Sequence, residues 1–251
     1  MRTGFVYLFL LVVYPLLSHA GEGVFLSCND ALQLGRASSG VASPRSSYWS
    51  FMNPASMVDL ERRFDTTLYM VYDKFKLKPG GILGNRLDGT LVSDGLFPIV
   101  STGIVWPLET GVLGGGIFIP SGSGVEYPHS RNILSRLFHG NGDRRMAYQH
   151  IRGVLAYAYE LDSGWSLGFG LHLSVSRFRA DHLTLGMTTA AYDNQWDTAY
   201  GAGFDVGLYR RWDRFAVGAN YTSRHWTESM KKYGDLLSSP LDMPHSVQVG
   251  V

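Results

Sequence analysis

Residues 165–176 alternate between two kinds of side chain without a break. A helix repeats every 3.6 residues and cannot place such a pattern on one face, whereas a strand repeats every two. The pattern therefore predicts one long β-strand with an apolar face and a small or polar face. The odd positions carry Trp165, Leu167, Phe169, Leu171, Leu173 and Val175, and the even positions carry Ser166, Gly168, Gly170, His172, Ser174 and Ser176.

Neighbouring segments show the same alternation and are joined by short turns. Residues 151–161 alternate and reach residue 165 through Asp-Ser-Gly at 162–164, a sequence typical of a tight hairpin turn. Residues 200–209 alternate too, and a turn near residues 212–214 leads to the alternating residues 215–221. The sequence thus predicts two long antiparallel hairpins.

The composition suits a sheet with little charge. Of 251 residues, 17% are charged, 13% are aromatic and 30 are glycine. Soluble proteins average about 25% charged residues and about 7% glycine. The formal net charge of +1 leaves no basic surplus for nucleic acid. The single cysteine, Cys28, excludes an intrachain disulfide.

The N-terminus predicts export. A short basic start is followed by uncharged, mainly apolar residues 4–17 and by Ser18-His19-Ala20, which resembles a cleavage site. The alternative of a membrane anchor is weaker, because the apolar run is shorter than the roughly 18 residues of a span. A lipoprotein attached at Cys28 is a second alternative, but Glu22 and residues 25–27 fit it poorly. We expect residues 1–20 to be a signal peptide.

The predicted strands are long enough to cross a bilayer at a tilt, which takes about 9–11 residues. Short turns alternate with longer polar connections at 180–197 and 228–243, as in outer-membrane barrels. The alternative is a soluble β-sandwich, whose outer face would carry many more charges. We predict eight strands, at residues 66–76, 97–108, 111–120, 147–161, 165–178, 198–211, 214–226 and 245–251.

Residues 21–64 precede the first strand and lack its alternation. They contain Leu-Gly-Arg-Ala-x-x-Gly-x-Ala at 34–42 and Asn53-Pro54-Ala55. The signal peptide, these two motifs and the Trp-Ser-x-Gly-x-Gly hairpin at 165–170 together resemble the FadL/TodX family of outer-membrane transporters. The resemblance runs from residue 21 to the end, although Pro-Arg-Ser-Ser at 44–47 replaces the acidic residues common in the family.

The resemblance implies a barrel of a dozen or more strands with the N-terminal segment inside its lumen as a hatch. Eight strands enclose only their own side chains, so we expect an incomplete antiparallel transmembrane β-barrel at 65–251 and a hatch at 21–64. The absence of a terminal aromatic residue also favours a partial chain. The predicted hatch residues are Gly35, Arg36, Gly40, Asn53, Pro54 and Ala55.

The same resemblance implies uptake of hydrophobic small molecules, either fatty acids or aromatic hydrocarbons, across the outer membrane of a Gram-negative-type bacterium. The resemblance also implies a lateral opening in the wall near the third strand, and we expect this strand to end there at Pro120, Gly122 and Gly124, because proline and glycine break a ladder. An ordinary strand end is the alternative. A loop with an amphipathic helical spacing would capture the ligand through Ile133, Leu134, Arg136, Leu137 and Phe138, unless those residues simply pack on the rim.

No catalytic or metal-binding motif accompanies these features. The histidines lack the spacing of a metal site, and no nucleophile, Walker or Rossmann motif occurs in a helical context. We expect no enzyme activity, no cofactor and no nucleic-acid partner. The expected partners are the ligand, outer-membrane lipid and lipopolysaccharide, with the protein a monomer. A non-specific diffusion pore, a structural barrel and a membrane-barrel enzyme remain as alternatives.

Overall fold

Long antiparallel strands dominate the computed structural model, which describes residues 30–35, 40–78, 90–128, 143–185, 188–190 and 194–251. The strands are β1 (Arg63–Leu77), β2 (Leu91–Pro107), β3 (Val112–Tyr127), β4 (Arg144–Glu160), β5 (Trp165–Asp181), β6 (Leu183–Leu185), β7 (Thr188–Ala190), β8 (Asp197–Arg211), β9 (Ala216–Thr222), β10 (Trp226–Thr227) and β11 (Ser246–Gly250).

One curled sheet contains nearly all of these strands. Its order is β1-β2-β3-β4-β5-β8-β9-β11, and β10 pairs with β8 beyond the end of β9. The small β6–β7 hairpin forms a separate sheet. The expectation of an all-β, antiparallel, partial barrel of about eight strands is confirmed.

The alternation in the sequence becomes the two faces of this sheet. On β5 the odd residues lie on the convex face, where Leu173 is 71% exposed, and the even residues lie on the concave face, where Ser176 is fully buried. Paired residues share a face, so Phe169 stands beside Tyr157 of β4 and Val206 of β8. Between Trp165 and Val175 of β5 and their neighbours in β4 and β8, the convex face is therefore mainly apolar.

Three strand predictions need correction. The third strand does not end at Pro120, because β3 continues to Tyr127 and stays paired with β4 across a bulge between Phe118 and Ser121. The seventh predicted strand, 214–226, is divided into β9 and β10. The second strand begins at Leu91, earlier than expected, and the β6–β7 hairpin was not predicted.

The N-terminal segment folds against the concave face. It contains α1 (Ala31–Leu34), α2 (Trp49–Met52) and a 3₁₀ helix (Pro54–Asp59). Trp49 and Met57 are fully buried among wall residues such as Val105 and Phe118. The core thus lies between this segment and the sheet. Among the described residues, no helix has the length and apolar character needed to cross a bilayer.

Several predictions fall on residues outside the described part of the chain. They are the signal peptide at 1–20, Cys28, the hatch residue Arg36 and the whole capture loop of Ile133, Leu134, Arg136, Leu137 and Phe138. The first strand begins at Arg63, close to the expected start of the barrel at residue 65.

Candidate functional site

Residues 40–60, which we call the plug, approach the wall closely at several glycines, two of which are paired with each other. A Cβ on Gly168 of β5 would overlap the backbone of Pro54 and Ala55, and a Cβ on Gly207 of β8 would overlap the Asn53 side chain. Gly168 and Gly207 are paired neighbours, so together they form a flat strip of wall. The small residues at these inward positions allow the plug backbone to approach the sheet directly.

Asn53 organises the plug where it meets that strip. Its Oδ1 accepts a hydrogen bond from Ala55 N at 3.2 Å and caps the 3₁₀ helix. Its Nδ2 donates to Val41 O at 3.1 Å and to Leu208 O of β8 at 3.4 Å. Pro54 follows at the first helical position, where its missing N–H costs nothing. The Asn-Pro-Ala sequence therefore serves as cap, helix start and small contact residue.

Further bonds fix the plug at other points. Tyr209 Oη donates to Asp59 Oδ2 at 2.5 Å, and Arg211 pairs with the same carboxylate at 3.1 Å. Trp49 Nε1 donates to Gly40 O at 2.9 Å, and Gly40 has a φ of 117°, which favours glycine. The plug is therefore stabilised by a hydrogen bond within itself and by side-chain bonds to β8.

A cluster of buried polar side chains lies on the concave face beside the plug. His150 Nδ1 lies 2.8 Å from Ser176 Oγ, and His225 Nδ1 lies 3.0 Å from Ser174 Oγ. His172 Nε2 lies 3.2 Å from Asp205 Oδ1, with both side chains inaccessible to solvent. These groups come from β4, β5, β8 and the β9–β10 connection, so the fold brings together residues far apart in sequence.

Arg152 joins this cluster to the plug. Its guanidinium reaches His172 Nδ1 at 3.5 Å and His150 Nε2 at 3.4 Å, and lies 5.2 Å from the ring centre of Phe51. Phe51 also stacks on His172, with 5.9 Å between ring centres. Phe51 of the plug is therefore in contact with two cationic or polar groups of the wall.

The wall itself is interrupted between β2 and β3. Their ladder runs from Pro107–Val112 to Thr102–Ile117 and stops there, although both strands continue. The β3 bulge lies just beyond that point, and bulges bend a strand away from its partner. Farther on, Glu126 N donates to Ser93 Oγ at 2.8 Å and bridges the two strands again. The interruption is thus bounded at both ends.

A cavity of about 300 Å³ occupies the interruption. Some of its lining residues belong to the concave face, and others, such as Gly122 and Gln149, belong to the convex face. The Phe97 ring lies at this cavity, where a Cβ on Gly124 would be 3.4 Å from it. The cavity is therefore lined from both faces of the wall.

The structure separates the predicted site residues into three groups. Gly40, Asn53, Pro54 and Ala55 lie together in the plug. Gly122 and Gly124 line the cavity, and Pro120 is buried in the bulge that precedes them. Gly35 instead ends α1 in ordinary helical backbone and is exposed, away from the Asn-Pro-Ala contacts.

Sequence reasoning missed Arg152, Asp205 and the proline of β2. A signal existed for each. Arg152 and Asp205 occupy inward positions of alternating strands, where an unexplained charge points to a buried partner. Pro98 lies within β2 and, like Pro120 of β3, cannot donate to a ladder. Two adjacent strands with a proline at matching heights indicate a place where pairing fails.

Within the described ranges, no group of three or more His, Cys, Asp or Glu side chains is arranged to hold a metal ion. His150, His172 and His225 are in ring contact with one another, at 5.5 and 5.9 Å between centres. Each of their described nitrogen contacts is with serine, arginine or aspartate. The cluster is a packed polar element of the wall, and its buried atoms His225 Nε2 and Asp205 Oδ2 have no hydrogen-bond partner among the described residues.

Comparison with known proteins identifies a related fold. No family model and no curated protein matches the sequence. Among solved structures, the chain resembles a FadL homologue from Pseudomonas aeruginosa, with a TM-score of 0.59 and 16% identity over 81% of this chain. The match covers 53% of that protein, so the chain spans about half its length. This likeness establishes a FadL-like fold.

Proposed function

We propose that the protein is an outer-membrane transporter through which hydrophobic small molecules pass from the interior of the sheet to its convex side. The cavity between β2 and β3 is the observation that carries this proposal. It is lined from both faces of the wall, where β2 and β3 continue unpaired beyond Thr102–Ile117. The role is passage of a ligand, without chemical change.

The convex face supports the membrane placement. Leu68, Leu155, Leu171 and Leu173 are all more than half exposed there. An apolar surface of this extent is unusual on a soluble domain and marks a membrane or partner contact. The inward residues of β5 from Ser166 to Ser176 are polar or small, which is the arrangement of outer-membrane barrels.

The plug supports a lateral route over an axial one. Asn53, Ala55 and Trp49 are fully buried between plug and wall, so the axis near them is filled. A non-specific diffusion pore needs an open axis, which makes it the weaker candidate. Under our proposal Gly40, Asn53, Pro54 and Ala55 shape the hatch, and Gly122 and Gly124 line the exit.

A fatty acid or an aromatic hydrocarbon would suit this route. The cavity lining includes Val71, Phe97, Ile99 and Ile151, which offer an apolar surface. Its volume of about 300 Å³ is at the lower end for a ligand pocket. We further propose that the loop at 129–142 gathers the ligand before it enters.

The route can be tested by filling its mouth from the convex side. Gly122→Phe introduces a ring at the cavity, and the new Cβ would meet only Tyr148 O at 3.6 Å, an ordinary contact. Gly153→Phe is the matched control. Gly153 also faces outward, its Cβ would meet only Leu173 O at 3.8 Å, and its strand is paired on both sides.

We expect Gly122→Phe to lower uptake of radiolabelled oleate or toluene by cells about ten-fold, because a ring blocks a passage that small apolar contacts define. Gly153→Phe should leave uptake within about two-fold of the parent protein. Equal uptake by both variants, with equal amounts of folded protein in the outer membrane, would refute the lateral route. An equal loss of uptake in both variants would show that any large side chain on the convex face impairs uptake, whether or not it lies at the cavity.

A further inference from the structure

The convex face of β5 changes from apolar to basic at one level. From Trp165 to Val175 every outward residue is apolar, and the next two outward residues are Arg177 and Arg179. The ten residue steps between Trp165 and Val175 rise about 3.3 Å each, giving about 33 Å of strand. At a tilt of about 40° this spans about 25 Å of height, which equals the apolar band of a barrel.

Arg177 and Arg179 are therefore at the level of the lipid headgroups, on the side of the long connections. Trp165 occupies the opposite boundary, next to a short turn. Long connections are extracellular in barrels of this class. The two arginines thus face the headgroups of the outer leaflet, an inference that rests on the membrane placement proposed above.

Trp196 holds both guanidiniums in place. The Arg177 and Arg179 guanidinium carbons lie 4.7 Å and 4.8 Å from the ring centre of Trp196. Stacking of this kind uses the flat face of a guanidinium and leaves its N–H edge available for an anion. Arg179 Nε is buried and has no hydrogen-bond partner among the described residues.

Three nearby carboxylates are engaged elsewhere, and a fourth, Asp73 of β1, lines the same cavity as Arg179. Asp181, the next outward residue of β5, lies 2.6 Å from His182 Nδ1. Glu126 and Asp143 both pair with Arg145, at 3.0 Å each. Within the described ranges, no ion pair is formed by Arg177 or Arg179, so two positive charges contact one indole ring at the headgroup level.

We propose that Arg177 and Arg179, stacked on Trp196, bind the phosphate group of an anionic membrane lipid. Two adjacent guanidiniums match the charge and the oxygen geometry of a phosphate monoester. Arg179 and Trp196 also line the outer end of the β2–β3 cavity. A lipid bound there would lie beside the opening with its headgroup fixed and its acyl chains along the apolar wall.

The opposite boundary provides a matched control. Arg210 also faces outward and lies 5.5 Å from Trp165 and 4.7 Å from Trp212. It has the same cation–aromatic contacts but is a single charge. Arg210→Gln therefore removes a stacked arginine from the convex face without touching the proposed site.

The test uses the protein purified in dodecyl maltoside, with lipid adducts counted by native mass spectrometry. Dioleoyl phosphatidic acid, a phosphate monoester, is compared with dioleoyl phosphatidylcholine at equal concentration. The parent protein and Arg210→Gln should prefer phosphatidic acid about twenty-fold, and Arg177→Gln/Arg179→Gln should lose that preference. Arg177→Lys/Arg179→Lys keeps the charge but not the planar fork, so we expect a preference of about five-fold.

Other outcomes overturn the proposal. An unchanged preference in Arg177→Gln/Arg179→Gln, or an equal loss in Arg210→Gln, excludes a site at these residues. Competition by millimolar inorganic phosphate would identify a free-anion site, and competition by equimolar oleate would assign the arginines to the transported ligand. If the double variant does not fold, as judged by circular dichroism, Trp196→Leu removes the stack instead and should lower the preference about five-fold.

This result and the transport result are independent. Loss of uptake in Gly122→Phe does not require lipid binding, and lipid binding in micelles does not require uptake. A protein that transports but shows no phosphate preference refutes only the lipid site. A protein that binds phosphatidic acid through these arginines but transports nothing refutes only the proposed transport.

Discussion

The wall is interrupted in two places, and only one of them is open. On one side of β8, the ladder with β9 ends at Thr222 and resumes with β10 at Trp226. There Ser223 Oγ accepts from Phe204 N at 2.9 Å, and Ser223 N donates to Phe204 O at 2.8 Å. Between β2 and β3 the ladder also stops, but a cavity of about 300 Å³ takes its place.

The comparison shows that a broken ladder does not by itself make an opening. At the β9–β10 break a serine replaces the missing ladder contact, and His225 fills the space beside Gly203, where a Cβ would lie 2.5 Å from the His225 ring. At the β2–β3 break, Pro98 and Pro120 have no backbone N–H to donate, and Gly122 and Gly124 have no side chain to fill the space. Side-chain chemistry decides whether a break is sealed.

Hydrogen exchange should give the largest difference between the two breaks. We expect the β2 amides between Leu91 and Ser101 that point toward β3 to exchange about a hundred-fold faster than that of Phe204, because Phe204 N is hydrogen-bonded to Ser223. Mass spectrometry of deuterated peptides from the protein in detergent would measure this. Amides in β5, which is paired on both sides, are the reference. Similar exchange rates at both breaks would contradict the conclusion that one break is open and the other is sealed.

Deleting Pro120 should close the open break. The bulge places three residue steps of β3 against two of β4, and removal of one residue restores equal spacing. We expect β3 to straighten toward β2 and oleate uptake to fall about ten-fold. The exchange of β2 amides should slow at the same time. If both the exchange rates and oleate uptake stayed unchanged, the bulge would not be the cause of the opening.

Ser223→Ala should weaken the sealed break. The substitution leaves Phe204 N without its side-chain acceptor, and an unsatisfied buried donor costs about 1 kcal/mol or somewhat more. Urea unfolding of the protein in detergent would measure this loss. Ser223→Thr keeps the hydroxyl and is the control that should retain most of the stability. A loss of equal size in both variants would show that the hydroxyl is not the cause.

Acid should loosen the same break to a smaller extent. Burial favours the neutral form of Asp242, but hydrogen bonds from Thr227 N, Thr227 Oγ1 and Arg224 outweigh it and hold the pKa of this carboxyl below its ordinary value. The stabilisation is therefore present above about pH 4 and is lost as the pH falls through the lowered pKa.

Limited proteolysis of the β10–β11 connection between pH 2 and pH 6 would follow this loss. Cleavage should increase toward the acid end in the parent protein. Asp242→Asn lacks the titrating carboxyl, so its cleavage should vary less with pH in this range. If the two proteins respond identically, Asp242 does not control the connection.

Much of the sheet was predictable because strand periodicity is local. The positions from Trp165 to Ser176 show both faces of β5 directly, and residues 162–164 show where β4 turns into it. The inward glycines leave room for another part of the chain to approach the wall. For Gly168 that neighbour is the plug, whereas for Gly203 it is His225 from the connection after β9. The pattern showed that space was needed and did not show what fills it.

The main error was the prediction that the third strand ends at Pro120, because β3 continues to Tyr127. Proline and glycine there suggested a strand end, because they weaken pairing. The pairing of β3 with β4 nevertheless persists to Tyr127–Arg144, since a bulge can absorb the extra residue on one side. The local sequence indicated that β3 would lose its pairing with a neighbouring strand, but it did not indicate whether that strand was β2 or β4.

By itself the sequence determined the long strands, their apolar face and the tight turns, because each depends on residues adjacent in the chain. Only the tertiary structure decided that Asn53 meets Gly207, that Arg152 meets Phe51 and His172, and that Arg177, Arg179 and Trp196 stand together. These contacts depend on strand register and on the path of the connections. Both are set by how the whole sheet curls around the plug, which no local pattern encodes.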